Sequence, residues 1–171
     1  MTLHAITVLG HDRPGIIAET TAALAGLGLN LEDSSMTLLR GHFAMTLVTA
    51  GAVEAPLIEE ALSGLTADGS LAVSVREVPP ESATPAGATY LLSVHGGDRP
   101  GIVSAVTAEV ARAGGNITDL TTRLAGDLYV LTAECDLPPT ADVTAVEARI
   151  KEVAAGLGVG ASLRLVESDE L

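Results

Sequence analysis

Short apolar runs typical of β-strands alternate along the chain with longer stretches of helical spacing. Residues 3–9 (LHAITVL) and 89–95 (TYLLSVH) are runs of the first kind. After the first run, apolar residues recur at Ile17, Leu24 and Leu27, and the same spacing follows the second run. The pattern therefore predicts a strand followed by an amphipathic helix, twice in one chain.

Two further strand-like runs, a second helix and a final strand follow each of these predicted helices. The paired runs are residues 29–39 and 42–50 around Arg40-Gly41, and residues 116–124 and 127–135 around Ala125-Gly126. Each half is thus predicted as β-α-β-β-α-β, an α+β fold of the ferredoxin-like kind. Both helices should cover one face of a four-stranded antiparallel sheet of order 2-3-1-4. That order leaves strand 2 at an edge, where it is open to pairing.

The two halves are copies of one unit. Shifted by 86 residues, the segment Leu9–Met36 matches His95–Thr122 at 12 of 28 positions without a gap. Such a long period indicates a duplicated domain rather than a solenoid repeat. We therefore expect a first domain over residues 1–78, a proline-rich linker over 79–88 and a second domain over 89–171.

The bulk composition narrows the classes of partner. The formal net charge is −13, and no cluster of Lys or Arg offsets it, which disfavours direct contact with nucleic acid or a membrane surface. Cys135 is the single cysteine, and no run is long enough for a membrane span, so a reducing, cytoplasmic location is expected. Since each domain is small, we expect a homodimer.

The sequence Asp-Arg-Pro-Gly-Ile occurs at the start of both predicted helices, at residues 12–16 and 98–102. Proline at the first helical position lacks an N–H, and the glycine beside it bares the backbone amides of the first turn. These amides carry the positive end of the helix dipole and favour an anion. A carboxylate suits them better than a phosphate, because no Walker-type glycine loop is present.

Asp12 and Asp98 have two interpretations. Each carboxylate could cap the helix that follows it. Alternatively, each could receive the ammonium of a zwitterion whose carboxylate rests on the free amides, with help from Asn30 or Asn116 at the start of strand 2. Spacing alone leaves both interpretations open.

Together, these motifs resemble a known family. The loop DRPGI, the helix after it and the segment GLNLEDSSM resemble the ACT domain, a small-molecule sensing module of ferredoxin-like fold. The tandem loops with NLEDSS and FAMTLV resemble, more narrowly, the glycine cleavage system transcriptional repressor group. The resemblance covers residues 3–78 and 89–167.

The resemblance implies a regulatory protein that binds a small amino acid, glycine or serine first, where the loop of one unit faces the start of strand 2 of another. It also implies action through a protein partner, a transcription activator, without contact to DNA. The implied ligand-binding residues are His11, Asp12, Arg13, Pro14, Gly15, Ile16, Asn30, Asp98, Arg99, Pro100, Gly101, Ile102 and Asn116.

Two other functions are open. A regulatory subunit of a biosynthetic enzyme, of the acetolactate synthase small-subunit type, also carries an ACT domain, but its loop is closer to Glu-x-Pro-Gly. A module of formyltetrahydrofolate hydrolase carries a similar loop, although its catalytic domain would have to follow residue 171. We expect no enzyme activity, no cofactor and no metal site, because no catalytic or metal-ligand spacing is present. Cys135, beside Glu134 and Asp136, is expected to be inert.

Overall fold

The structure, a computed structural model, describes residues 1–80 and 87–166. The chain divides into two compact units, with the boundary inside residues 81–86. The elements of the first unit are β1 (Thr2–His11), α1 (Ile16–Gly26), β2 (Asn30–Leu39), β3 (His42–Gly51), α2 (Ala55–Ala61), α3 (Ser63–Thr66) and β4 (Leu71–Val78). Those of the second unit are β5 (Ala88–Gly97), α4 (Ile102–Arg112), β6 (Asn116–Ala125), β7 (Leu128–Leu137), α5 (Val143–Gly156) and β8 (Val159–Leu165).

Each unit contains one four-stranded antiparallel sheet. The strand orders are β2-β3-β1-β4 and β6-β7-β5-β8, which confirms the predicted ferredoxin-like order 2-3-1-4 in both halves. β2 and β6 lie at the edges, and almost every residue of β2 is exposed. The edge strand is exposed because only one neighbour and no helix covers it.

The core of each unit is aliphatic and lies between the sheet and the helices. β1 alternates, so that His4, Ile6 and Val8 are buried on the helix side. α1 buries Ile16, Thr20 and Leu24 against this face, each about one helical turn from the next. The second unit repeats the arrangement with its own cluster of buried residues. Each sheet thus has one face packed by helices of its own unit.

Both first helices end in the same way. Gly28 follows α1 with φ of 72°, and Gly114 follows α4 with φ of 74°. In the first unit, the N–H of Gly28 donates to Ala25 and that of Leu29 donates to Leu24, which is the Schellman pattern. The prediction that these glycines close the helices is confirmed, and the physical reason is the left-handed backbone that the motif requires.

Several predicted boundaries differ from the structure. The second helix of the first unit is interrupted at Leu62, so that α2 and the short α3 replace one continuous helix. The second hairpin turns at Gly126-Asp127, one residue later than predicted, because Ala125 still pairs with Leu128. β5 begins at Ala88, which the predicted linker includes. Residues 81–86 of that linker lie outside the described residues.

Hydropathy along the described helices gives no membrane-crossing candidate: none of them combines the necessary length with sufficient apolar character.

Candidate functional site

The repeated Asp-Arg-Pro-Gly segments form the connections between the first strand and the first helix of each unit. We call residues 11–16 loop 1 and residues 97–102 loop 2. Gly15 is the N-cap of α1 with φ of 94°, and Gly101 is the N-cap of α4 with φ of 95°. Both values lie in the left-handed region that side chains with a Cβ disfavour. The two loops thus share one backbone conformation that calls for glycine.

Proline does not occupy the first helical position. α1 begins at Ile16, so Pro14 lies in the turn before the N-cap glycine, and Pro100 lies in the same place in loop 2. The expectation of proline at the first helical residue was wrong. Proline restricts the backbone of the turn before the helix. The N-cap residue after it needs a positive φ, which proline cannot adopt.

Neither aspartate caps its helix. Among residues 1–80 and 87–166, no side chain accepts a hydrogen bond from the first turn of α1 or of α4. The capping interpretation of Asp12 and Asp98 is therefore wrong, because a glycine holds the N-cap position and the aspartate lies three residues before it. The amides of Ile16, Ile17 and Ala18 donate to no acceptor within the described residues.

An open depression of about 290 Å³ lies at the start of α1. Its walls are Asp12, Arg13, Gly15, Ile16, Ile17, Ala18, Met36 and Phe43. The bare amides and one carboxylate therefore share a concave surface with apolar side chains of β2 and β3. This volume lies just below the range of about 300–1,000 Å³ usual for sites that hold larger organic ligands.

The arginines of the two loops differ in their partners. Arg13 donates two hydrogen bonds of 2.8 Å to the carboxylate of Glu19, one turn into α1. In loop 2, the residue equivalent to Glu19 is Ala105, and Arg99 has no hydrogen bond or ion pair among the described residues. Loop 1 therefore contains an internal carboxylate that loop 2 lacks.

The ion pair changes the titration of both groups. The hydrogen bonds from Arg13, supported by its charge, lower the pKa of Glu19 below its usual value. The same contact, with a smaller contribution from the charge of Asp68, raises the pKa of Arg13. Both side chains are substantially exposed, so solvent screens the pair and its net contribution to stability is small.

Asn30 and Asn116 are the first residues of β2 and β6, as the sequence predicts, but each lies far from the loop of its own unit. Asn30 pairs with Ala50, and Ala50 pairs with Leu3 of β1. His11 is eight residues further along β1, which at 3.3 Å per residue is about 26 Å. Asn116 is placed in the same way relative to loop 2. The structure therefore does not bring loop and asparagine together within one unit.

Both edge strands carry an irregularity next to the asparagine. The register of β2 shifts between Leu31 and Asp33, and that of β6 shifts between Ile117 and Asp119. Glu32 and Thr118, at equivalent positions, are thus left out of the ladder. Bulges of this kind often lie beside functional sites, where they redirect a side chain. The sequence does not predict these bulges, because no residue type in these strands marks one.

A pair of histidines lies at the start of loop 1. His11 and His42 are cross-strand neighbours at the ends of β1 and β3, and their ring centroids are 5.5 Å apart. Both side chains are exposed. His11 is among the ligand-binding residues expected from the sequence, whereas His42 is not, because its proximity to His11 depends on strand register.

Cys135 lies in the core of the second unit. Burial raises the pKa of its thiol to about 11, and the neighbouring charge of Asp136 adds to this. A raised pKa agrees with the expectation that Cys135 is inert, although burial rather than the adjacent carboxylate is the larger cause of the shift. A thiol with this pKa carries almost no thiolate near neutral pH.

Two profiles of known families match the chain, and both describe the ACT domain. They cover residues 3–76 and residues 90–152. The first match covers nearly the whole first unit, and the second covers the second unit from β5 into α5.

Full-length relatives support the same assignment. The glycine cleavage system transcriptional repressor of Escherichia coli strain K12 is 28% identical over 170 residues, which cover 94% of this chain and 88% of that protein. A crystal structure of an unknown protein from Galdieria sulphuraria is 32% identical, covers 97% of this chain and 99% of its own, and superposes with a TM-score of 0.81. The structure of a proposed glycine cleavage system transcriptional repressor shares the fold at 18% identity and a TM-score of 0.69. With an ACT profile on each half and one fold repeated in both, this chain belongs to the ACT-domain family of regulatory proteins, as a tandem member.

Proposed function

We propose that this protein is a non-enzymatic sensor of a small amino acid and that it regulates a protein partner. Glycine and serine are the ligands we expect before any other amino acid. The observation that carries the proposal is the pair of helix openings without a capping side chain. In each, first-turn amides and an aspartate that have no hydrogen-bond partner in the described part of the chain lie within one loop. The amides suit a carboxylate, and the aspartate suits an ammonium.

The asparagines enter this proposal through a second copy of the chain. Because Asn30 lies about 26 Å from loop 1 along its own sheet, it can complete a site only together with the loop of another unit, and we assign that unit to a second protomer. The exposed β2 edge, with Leu31, Met36 and Leu38 uncovered, offers a surface for such pairing. We therefore propose a homodimer in which the loop of one protomer faces the asparagine of its partner.

The partner regulated by the ligand is proposed to be a transcription activator, as the similarity to a transcriptional repressor suggests. A net charge of −13 repels the phosphate backbone and favours regulation through protein contact. In this proposal, the partner protein binds DNA and this chain controls transcription only by binding the partner.

A panel of the twenty amino acids, read by thermal unfolding, tests the sensor. Glycine has few atoms, and at about −1.5 kcal/mol per heavy atom its affinity is limited to the micromolar range or weaker, so millimolar ligand is needed. At a hundredfold excess over the dissociation constant, binding stabilises the native state by about 2.7 kcal/mol. We expect glycine or serine to raise the melting temperature.

The double substitution Asn30→Ala and Asn116→Ala should abolish that rise, whereas Ser35→Ala, at an exposed position of β2, should leave it intact. No rise with any amino acid would contradict the sensor. A rise that survives the double substitution would contradict the role of the asparagines but not the ligand.

A further inference from the structure

Although no metal-ligand spacing occurs in the sequence, strand register pairs two histidines, and we propose that His11 and His42 form an open binding site for a divalent late transition metal ion such as Zn²⁺. The two residues are directly opposite each other in the antiparallel pair β1–β3, and both rings are exposed to solvent. Their ring centroids are 5.5 Å apart, with an angle of 30° between the ring planes. This inference does not rest on amino-acid binding by the loops.

The separation of the rings matches the bite of one metal ion. With a Zn–N bond of 2.0–2.1 Å, the metal lies roughly 3.2 Å from the centroid of a bound imidazole. Two such rings are then roughly 4.5–5.5 Å apart for ligand–metal–ligand angles of 90–120°. The observed spacing lies at the upper end of this range. The rings are stacked, so binding requires both exposed rings to turn about their side-chain bonds until one nitrogen of each points at a common ion.

The backbone under both histidines is held in place before any ion arrives. The N–H of His11 donates to the carbonyl of Ser70 over 3.1 Å. The N–H of Asp12 donates to the carbonyl of Gly41 over 3.2 Å, which ties loop 1 to the tight turn before His42. Ligands on fixed strand ends lose less entropy on binding than ligands on mobile loops.

The donor set selects the class of ion. Imidazole suits Zn²⁺, Cu²⁺ and Ni²⁺, whereas Mg²⁺ and Ca²⁺ prefer oxygen ligands. No cluster of three or more His, Cys, Asp or Glu side chains suited to a metal occurs within residues 1–80 and 87–166. Two coordination positions at least are therefore left to water or to an added ligand, as in open zinc sites. The net charge of −13 raises the local concentration of cations.

The second unit provides an internal comparison. Gly97 and Leu128 occupy the equivalent register positions on β5 and β7, so the duplicated fold carries the histidine pair in one unit only. A Cβ added at Gly97 meets no heavy atom within 4 Å. The pair can therefore be removed from the first unit or installed in the second.

Calorimetric titration of the full chain with ZnCl₂, in a buffer that does not chelate zinc, tests whether removing either histidine weakens zinc binding. We expect one ion per chain, and we expect His42→Ala and His11→Ala each to weaken binding by about tenfold or more, since even losses in the second coordination shell cost 10–100-fold. The control His95→Ala removes an exposed histidine of the second unit, which pairs with Val130 and Gly160, and should change nothing. Absence of zinc binding, or binding that survives His42→Ala, overturns the proposal.

The gain of a site is tested with the double variant Gly97→His and Leu128→His. If two register-paired histidines at this strand end suffice, the variant binds two ions per chain in place of one. Circular dichroism verifies that each variant remains folded. A folded double variant that still binds one ion shows that the pair alone is not the site, and this outcome also overturns the proposal.

Discussion

Gly15 and Gly101 determine how each loop presents its amides. Their φ values of 94° and 95° place the following helix so that no side chain caps it, and the first-turn donors stay open. A residue with a Cβ in this conformation costs roughly 1–2 kcal/mol. The chain uses glycine at both positions, and the shared conformation explains why the same residue follows proline in both loops.

The substitutions Gly15→Ala and Gly101→Ala test this requirement. We expect Gly101→Ala to lower the free energy of unfolding of its unit by about 1–2 kcal/mol, from backbone strain alone, since no atom lies within 4 Å of the added Cβ. Gly15→Ala should cost more, because its Cβ would lie 3.2 Å from a carboxylate oxygen of Glu19. Urea unfolding measures both.

Gly26→Ala is the matched control for these two variants. Gly26 is helical, and a Cβ there meets nothing within 4 Å, so alanine should leave stability unchanged or raise it by up to about 1 kcal/mol. Equal effects of all three substitutions would show that the left-handed backbone is not what loops 1 and 2 need.

At the scale of elements, α1 and α4 have the same length and the same ends but differ in charge at the opening. Glu19 lies in the first turn of α1 and pairs with Arg13, whereas α4 has Ala105 there and leaves Arg99 without a partner in the described part of the chain. If the loops bind a carboxylate as proposed, that carboxylate competes with Glu19 for Arg13 at loop 1 and meets no such competitor at loop 2. The two proposed sites should therefore differ in affinity.

Exchanging the competitor tests this difference. Because an exposed ion pair contributes about 0.2–1 kcal/mol, Glu19→Ala should tighten glycine binding at loop 1 by up to about fivefold. Ala105→Glu should weaken binding at loop 2 by a similar factor. The amide resonances of Gly15 and Gly101, followed by NMR during titration, report each loop separately. Identical affinities in all three proteins would exclude Glu19 as a competitor.

At the scale of the whole molecule, the two units share their backbone architecture but differ in several side chains. Strand order, the bulges in β2 and β6 and the N-cap glycines occur in both units. The buried cross-strand pair His4–Thr49 of the first unit is replaced by Tyr90–Cys135 in the second. Each unit closes its own core, so a probe inside one core reports on that unit.

Cys135 is such a probe. With a thiol pKa of about 11, its ionised fraction at pH 8 is about 200-fold below that of an ordinary cysteine, before burial further limits access. We expect almost no reaction of the folded protein with a thiol reagent at pH 8 and rapid reaction after denaturation. The native rate should increase as pH is raised towards 11. A native rate equal to that of free cysteine would contradict the buried placement.

The sequence by itself determined the duplication, the order of elements, the sheet topology and the glycines that end the first helices. These features depend on periodicity and on residues close together in the chain, so local patterns suffice to predict them. The tertiary structure decided which side chains meet. It separated Asn30 from loop 1, left α1 without a cap from Asp12, paired Arg13 with Glu19 and placed His42 beside His11. The reason is that strand register and backbone direction, rather than composition, determine contacts between residues distant in sequence.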